Sequence, residues 1–169
     1  MKHILGPNSR STLTNVQEGD SQPNAVDLRL DKVFKILPTI FEISNDHKKH
    51  RQTEEFVPDE EGYFNLELGS YEVTFNNDVT ISGGECGWTV LRSTLLRNGC
   101  TLFSGIFDAG FCGKIGSVLH VNVGPLKIKK DTRVAQFVLF DAETSHLYSG
   151  SYGLDSSGKP KADEAKYHA

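Results

Sequence analysis

The run Tyr63-Phe64-Asn65-Leu66-Glu67-Leu68-Gly69-Ser70-Tyr71-Glu72-Val73-Thr74-Phe75-Asn76-Asn77-Asp78-Val79-Thr80-Ile81-Ser82 decides the fold class. Its pieces YFNLEL, SYEVTF and VTIS alternate apolar with polar residues or are rich in β-branched ones, the signature of short strands. Gly69-Ser70 and Asn76-Asn77-Asp78 supply turn chemistry between them. The reading is three consecutive strands separated by two turns.

The same pattern extends outward. Downstream, GWTVL, TLFSGIF, KIGSVLHVNV, LKIKK and RVAQFVLFDA read as further strands. Upstream, Val26, Leu28 and Leu30 alternate with Asp27, Arg29 and Asp31, a half-buried strand. Val33 to Ile43 is a further apolar stretch, broken by Pro38. Only one short helix is convincing, so the expectation is a mainly-β single domain, a barrel or jelly roll of about ten or more strands. Residues 1 to 22 are polar and read as an arm before the core. Residues 44 to 62 are charged and read as an excursion from it. There the basic run His47-Lys48-Lys49-His50-Arg51 is either a phosphate patch or a solvated loop neutralised by Glu54, Glu55, Asp59, Glu60 and Glu61; charge balance favours the loop. The end from Tyr148 is rich in Gly and Ser and is expected to be mobile without ligand.

Composition narrows the function classes. The chain has 169 residues, 37% hydrophobic and 24% charged, enough for one domain with a real core. A formal net charge of -4 provides no basic field for nucleic acid, whereas a single nucleotide needs only a local positive cluster. Cys86, Cys100 and Cys112 are odd in number and lack metal-site spacing, which suits reduced thiols. The N-terminus carries no long apolar run, so neither a signal peptide nor a membrane span is expected, and the location expected is cytoplasmic (host cytoplasm for a viral protein).

Two clusters carry chemistry. In Arg92-Ser93-Thr94-Leu95-Leu96-Arg97-Asn98-Gly99, Ser93 is a natural N-cap and Gly99 a left-handed stop. The free N–H groups of such a helix, beside Arg92 and the Ser93 hydroxyl, suit an anion. Asp108-Ala109-Gly110-Phe111-Cys112-Gly113 follows, a lone carboxylate on a glycine turn. A carboxylate near an anion site repels the anion unless it activates a water. Read alone, these residues favour a capped surface helix and an ordinary turn Asp over an anion site with its own base.

The ordered set QPNAVDLRL, RSTLLRNG, GIFDAGFCGKI, DTRVAQFVLF and YSGSYG resembles the trimeric dUTPase and dCTP deaminase superfamily, over about residues 22 to 153. The resemblance implies a distorted jelly roll of the dUTPase type assembled into homotrimers, with residues 1–153 as the domain and 154–169 as a flexible tail. It implies that Arg92, Ser93 and Thr94 contact the triphosphate and that Asp108 is the general base for the attacking water. Phe111 would pack under the deoxyribose, keeping the family's aromatic ring without its hydroxyl. Residues 101 to 107 match the hairpin whose backbone reads the base. Arg133 and Gln136 would lie at the phosphates, Arg133 alternatively as an ion-pair partner and Gln136 as a buried amide bonded to backbone. Asp27 would play a supporting role, its plain reading being a turn contact or a pair with Arg29. Tyr148 and Tyr152 would cover the base. The tail lacks the family's Arg, for which Lys159 or Lys161 would substitute. Mg²⁺, held mainly through the substrate triphosphate, is the implied cofactor, with no metal ligand from the protein.

The superfamily runs two reactions. Its deaminases carry a Glu on the strand after the D-x-G turn; here that position falls near Val118, and no Asp or Glu occurs from Ala109 to Lys130. A valine cannot move a proton. Hydrolysis of dUTP, or a related deoxyuridine triphosphate, to dUMP and pyrophosphate is therefore expected. The alternatives are a dCTP deaminase, a bifunctional deaminase/diphosphatase, or a non-catalytic nucleotide-binding regulatory trimer.

Overall fold

A computed structural model describes residues 1–169. Its strands are β1 (Thr12–Leu13), β2 (Val26–Ile36), β3 (Glu42–Ile43), β4 (Lys48–Lys49), β5 (Thr53–Phe56), β6 (Tyr63–Leu66), β7 (Gly69–Thr80), β8 (Glu85–Leu91), β9 (Cys100–Phe103), β10 (Cys112–Val121), β11 (Leu126–Lys129) and β12 (Arg133–Asp141). Helix α1 (Ser93–Arg97) separates β8 from β9, and a single 3-10 turn, Ala165–Tyr167, lies near the C-terminus. This is the mainly-β architecture with one short helix that the sequence predicts.

The main sheet is antiparallel in the order β8-β12-β2-β7-β10-β9, with β1 added to β7 and β5 to β2. It curls until its ends nearly meet. Gly87 on β8 and Phe107 beyond β9 exchange both backbone hydrogen bonds at 2.9 Å, which closes most of the barrel. Gly87 is needed there, because a Cβ would stand 2.2 Å from the Phe137 ring. Strand β10 shows the logic of the core. Ile115, Ser117, Leu119 and Val121 are buried while Lys114, Gly116, Val118 and His120 are half-buried, the period of two that faces one side inward. Leu28, Leu30, Phe75, Ile115, Leu119, Phe137 and Leu139 are fully enclosed. Each such side chain contributes roughly 1.5–3 kcal/mol of burial.

The structure departs from the sequence reading in instructive places. Asn76-Asn77-Asp78 is not a turn, since β7 continues through it. The pairing of β7 with β10 shifts between Lys114 and Gly116, so the Asn-rich signal marks a bulge within one strand. Asn77 is buried and donates to the Thr14 carbonyl at 2.7 Å, which supplies a partner that a turn would have left to water. Ser93 is not the N-cap of α1. Arg92 holds that place, without a side-chain cap, and its carbonyl accepts from Leu95 and Leu96 N–H. Gly99 does take the left-handed conformation, at φ +80°. Within the charged 44–62 segment, Thr53–Phe56 pairs with the edge of β2 as β5. All three cysteines are free.

Both chain ends lie against the barrel. At the N-terminus, Ile4 enters the core, and Glu85, fully buried, accepts from Lys2 Nζ at 3.0 Å, Ser11 Oγ at 2.6 Å and Ser11 N–H at 2.9 Å. Burial by itself would raise the Glu85 carboxyl. The Ser11, Lys2 and Arg10 donors outweigh it and hold the pKa at about 2. A folded-state pKa below the unfolded value means the contribution is present above the unfolded pKa of 4.5 and is lost as pH falls toward 2. Thermal melts should therefore show a steep loss of stability between those limits, and Glu85→Gln should flatten that part of the profile.

At the C-terminus, Glu164 is buried and accepts from Lys114 N–H at 2.7 Å and Gly153 N–H at 3.0 Å. The crossing is close. A Cβ on Gly113 would meet the Gly153 Cα at 2.7 Å and Glu164 Oε1 at 2.9 Å. Tyr167 is buried, its hydroxyl bonded to Glu72, and Lys166 reaches the same carboxylate at 2.5 Å.

Candidate functional site

The residues singled out in the sequence gather into two groups. The first forms around Asp27. The register that sets Gln136 of β12 opposite Asp27 of β2, and opposite Val90 of β8, brings three strands to one point. Arg92 follows directly after β8, with its N–H on the Val134 carbonyl at 3.0 Å. Asp27 is wholly enclosed. Its Oδ1 accepts from Gln136 Nε2 at 2.9 Å, while Oδ2 lies 3.5 Å from Arg92 Nε and 3.4 Å from an Arg133 guanidinium nitrogen. Arg133 also donates to the Gly19 carbonyl at 2.9 Å.

This corrects two plain readings. Asp27 does not pair with Arg29, which is taken by Asp20 at 2.8 Å. Gln136 bonds to a carboxylate rather than to backbone. Two guanidinium groups against one carboxylate leave a net positive charge, and both arginines keep about a third of their side chains exposed, at 33% and 36%. Ser93 and Thr94 lie exposed beside them. A phosphate matches this combination of forked donors and hydroxyls.

The second group surrounds a cavity of ≈ 620 Å³. The Asp108–Phe111 turn forms its rim. The turn is tied by Phe111 N–H to the Asp108 carbonyl at 3.0 Å and by Gly110 N–H to the Ile81 carbonyl at 2.8 Å, with Gly110 at φ +88°. The Asp108 side chain is exposed and has no ion-pair partner, and it faces both this cavity and a smaller one of ≈ 330 Å³ behind it. Phe111 is buried between Phe107 and Tyr148, with ring centroids 5.4 and 5.6 Å away. Tyr148 is fastened to the turn by its N–H on the Ala109 carbonyl at 2.8 Å, and its hydroxyl accepts from Tyr152 N–H at 3.3 Å. Burial, followed by the nearby Asp163 and Glu72 charges, raises the Tyr152 phenol, so it stays protonated at neutral pH. Residues Phe103 to Phe107 form one wall, and Val118 stands on the β10 wall.

The chain thus brings Asp108, Phe111, Tyr148 and Tyr152 to one cavity, and Asp27, Arg92, Ser93, Thr94, Arg133 and Gln136 to another place. Neither Lys159 nor Lys161 lines the cavity; Lys161 donates to the Gly150 carbonyl at 3.1 Å. Sequence reasoning missed several lining residues. Lys166 and Tyr167 reach the cavity through the tail's return to β7, a contact with no local signature. Ser117 and Ser104 line it as well, Ser117 sharing a 2.8 Å hydrogen bond with buried Thr89. His50 and Arg51 line it from the basic run that the sequence reading left in solvent.

Known proteins agree with this architecture. The family described as dCTP deaminase-like matches residues 6–142. The deoxyuridine 5'-triphosphate nucleotidohydrolase of Methanocaldococcus jannaschii is 31% identical over 153 residues, covering 88% of this chain and 97% of that protein. A probable enzyme of the same name from Methanosarcina barkeri is 36% identical over 141 residues, covering 80% and 81%. Among solved structures, the 2'-deoxycytidine 5'-triphosphate deaminase of Agrobacterium tumefaciens superposes with a TM-score of 0.60 at 14% identity, over 87% of this chain; the chain spans 45% of that deaminase's length. The dUTPase of Staphylococcus bacteriophage 80alpha, crystallised with dUPNHPP, gives 0.50 at 14% identity, over 88% and 93%. The two structures speak for the fold, and the family match runs through β2, α1, the Asp108 turn and β12 alike; the protein therefore belongs to the dCTP deaminase-like family, on the side of its archaeal deoxyuridine triphosphate nucleotidohydrolases.

Proposed function

We propose that this protein is a dUTP diphosphatase, hydrolysing dUTP to dUMP and pyrophosphate. The observation that carries the reading is the unpaired Asp108 carboxylate at the mouth of a cavity whose β10 wall presents Val118, not a carboxylate, where a deaminase needs its proton shuttle. Archaeal relatives bearing the corresponding name support it.

Asp108 takes a proton from water as the water oxygen bonds to the α-phosphorus. The bond from that phosphorus to the α,β-bridging oxygen breaks, and pyrophosphate leaves. Charge on the phosphates is met by Arg92 and Arg133, with Ser93, Thr94 and Gln136 donating hydrogen bonds, while Asp27 fixes both guanidinium groups in place. The Phe111 ring lies under the deoxyribose, and the backbone of residues 101–107 offers N–H and C=O groups to uracil. Tyr148 or Tyr152 covers the base, and the segment after Leu147 orders further when nucleotide binds. The exposed hydroxyls and guanidinium groups would hold a triphosphate that arrives with Mg²⁺, and the metal would add electrostatic stabilisation to the phosphates.

The separation of the two groups within one chain favours a homotrimer in which the phosphate group of one subunit faces the Asp108 cavity of another. The decisive assay offers dUTP, dCTP and dTTP with Mg²⁺ and reads pyrophosphate and ammonia separately. Pyrophosphate from dUTP alone is the expected result. Ammonia from dCTP would replace the hydrolase with a deaminase, and neither product would leave a nucleotide-binding regulator.

A further inference from the structure

The basic run 47–51 divides in three dimensions. Lys48 pairs with Asp163 and donates to Ser151 at 2.5 Å, and His50 stands 3.3 Å from the same Asp163. These residues clamp the tail to the β3–β4 hairpin. Arg51 does something else. Four cationic or potentially cationic side chains line the large cavity: His50, Arg51, Lys114 and Lys166. His50 faces Asp163, Lys114 lies 3.9 Å from Asp31 and from Asp78, and Lys166 is on Glu72 at 2.5 Å. Arg51 alone has no carboxylate partner. One of its guanidinium nitrogens donates to the Thr39 carbonyl, which anchors the group at the wall and leaves other N–H donors free. The anchor is itself braced, with Thr39 Oγ1 accepting from Gln52 N–H at 2.9 Å and Leu37 N–H donating to the Gln52 carbonyl at 2.9 Å.

An always-charged fork held at a cavity wall without a counter-charge is built for an external anion. The cavity otherwise lacks an uncommitted cation, because its lysines and His50 are paired and the Arg92–Arg133 group lies elsewhere on the chain. We propose that Arg51 binds the phosphate chain of the nucleotide in the cavity of its own subunit. This makes the charged 44–62 segment part of the substrate site. The inference rests on the reading of that cavity as the nucleotide site. Phe41, stacked on His50 at 6.3 Å, and Tyr152, edge-on to His50 at 6.4 Å, form the aromatic support of the same wall.

The test is a binding series on the full-length protein with deoxyuridine, dUMP, dUDP and the non-hydrolysable α,β-imido analogue of dUTP, read by calorimetry for wild type, Arg51→Ala and Arg51→Lys. Arg51 is exposed, so both variants should melt as wild type does. A lost charge-assisted contact corresponds to about a 10- to 100-fold weaker Kd. That loss is expected in Arg51→Ala for the triphosphate analogue, shrinking as phosphates are removed and vanishing for deoxyuridine. Arg51→Lys should recover part of it as a point charge. Unchanged affinity for the triphosphate, or an equal loss for deoxyuridine, would overturn the role of Arg51 while leaving the diphosphatase reading intact. A wild-type protein that binds no member of the series would overturn both.

Discussion

Asp108→Asn should bind the α,β-imido analogue of dUTP with near wild-type affinity and turn over dUTP about 10²- to 10⁴-fold more slowly. The amide keeps the shape of the side chain but cannot accept the proton of the attacking water. The substitution should also be benign for folding. The side chain is exposed and unpaired, and the turn is held by backbone bonds from Phe111 and Gly110 that an amide does not disturb. Single-turnover rates, measured beside analogue affinity, separate the two quantities. A kcat within a few-fold of wild type would remove Asp108 from the proton transfer.

Asp27→Ala should be the most damaging single change to the phosphate group, although Asp27 touches no substrate in the proposed mechanism. Its carboxylate is fully enclosed and serves Gln136, Arg92 and Arg133 together. Removing it leaves two guanidinium groups facing each other without the charge between them. Breaking a buried pair in this way costs about 3–5 kcal/mol. Urea denaturation should register that loss. In whatever folded fraction remains, KM for dUTP should rise more steeply than kcat falls, because the arginines lose position while Asp108 stays where it is. Asp27→Asn, which preserves the hydrogen bond with Gln136, should be intermediate on both measures. Stability equal to wild type in Asp27→Ala would show that the arginines are held by other contacts.

Much of this architecture was legible in the chain because it follows from local periodicity. β10 alternates cleanly, and the inward set Ile115, Leu119 and Val121 could be picked out by parity alone. Gly99 and Gly110 marked backbone positions that only a left-handed conformation serves. Long-range matters were not legible. The Asn76-Asn77-Asp78 signal has the chemistry of a turn, and only the pairing with β10, which leaves extra residues of β7 between Asp78 and Thr74, turns it into a bulge. Asp27 and Arg29 are neighbours on one strand, so pairing them was natural. The register with β12 instead assigns Asp27 to Gln136 and Arg133, and Arg29 to Asp20. Arg51 sat in a basic run that the carboxylates following it more than offset, and charge balance cannot reveal which member lacks a partner. The return of Glu164 to Lys114 depends on two glycines, Gly113 and Gly153, meeting across many residues, and nothing in either neighbourhood announces the other.

The strand order has a consequence for biosynthesis. β12 lies between β8 and β2, and β10 lies between β7 and β9, so few neighbours in the sheet are neighbours in the chain. As the polypeptide leaves the ribosome, β2 and β8 keep exposed backbone edges until residues 133–141 emerge, after every other strand of the sheet. Sheets assembled from such distant segments fold slowly and spend that time open to pairing with other chains. β12 is therefore the keystone of the assembly, the strand for which the rest of the sheet has to wait. A nascent chain halted before Arg133 would hold most of the core residues and be an aggregation-prone client for chaperones rather than a partly working enzyme.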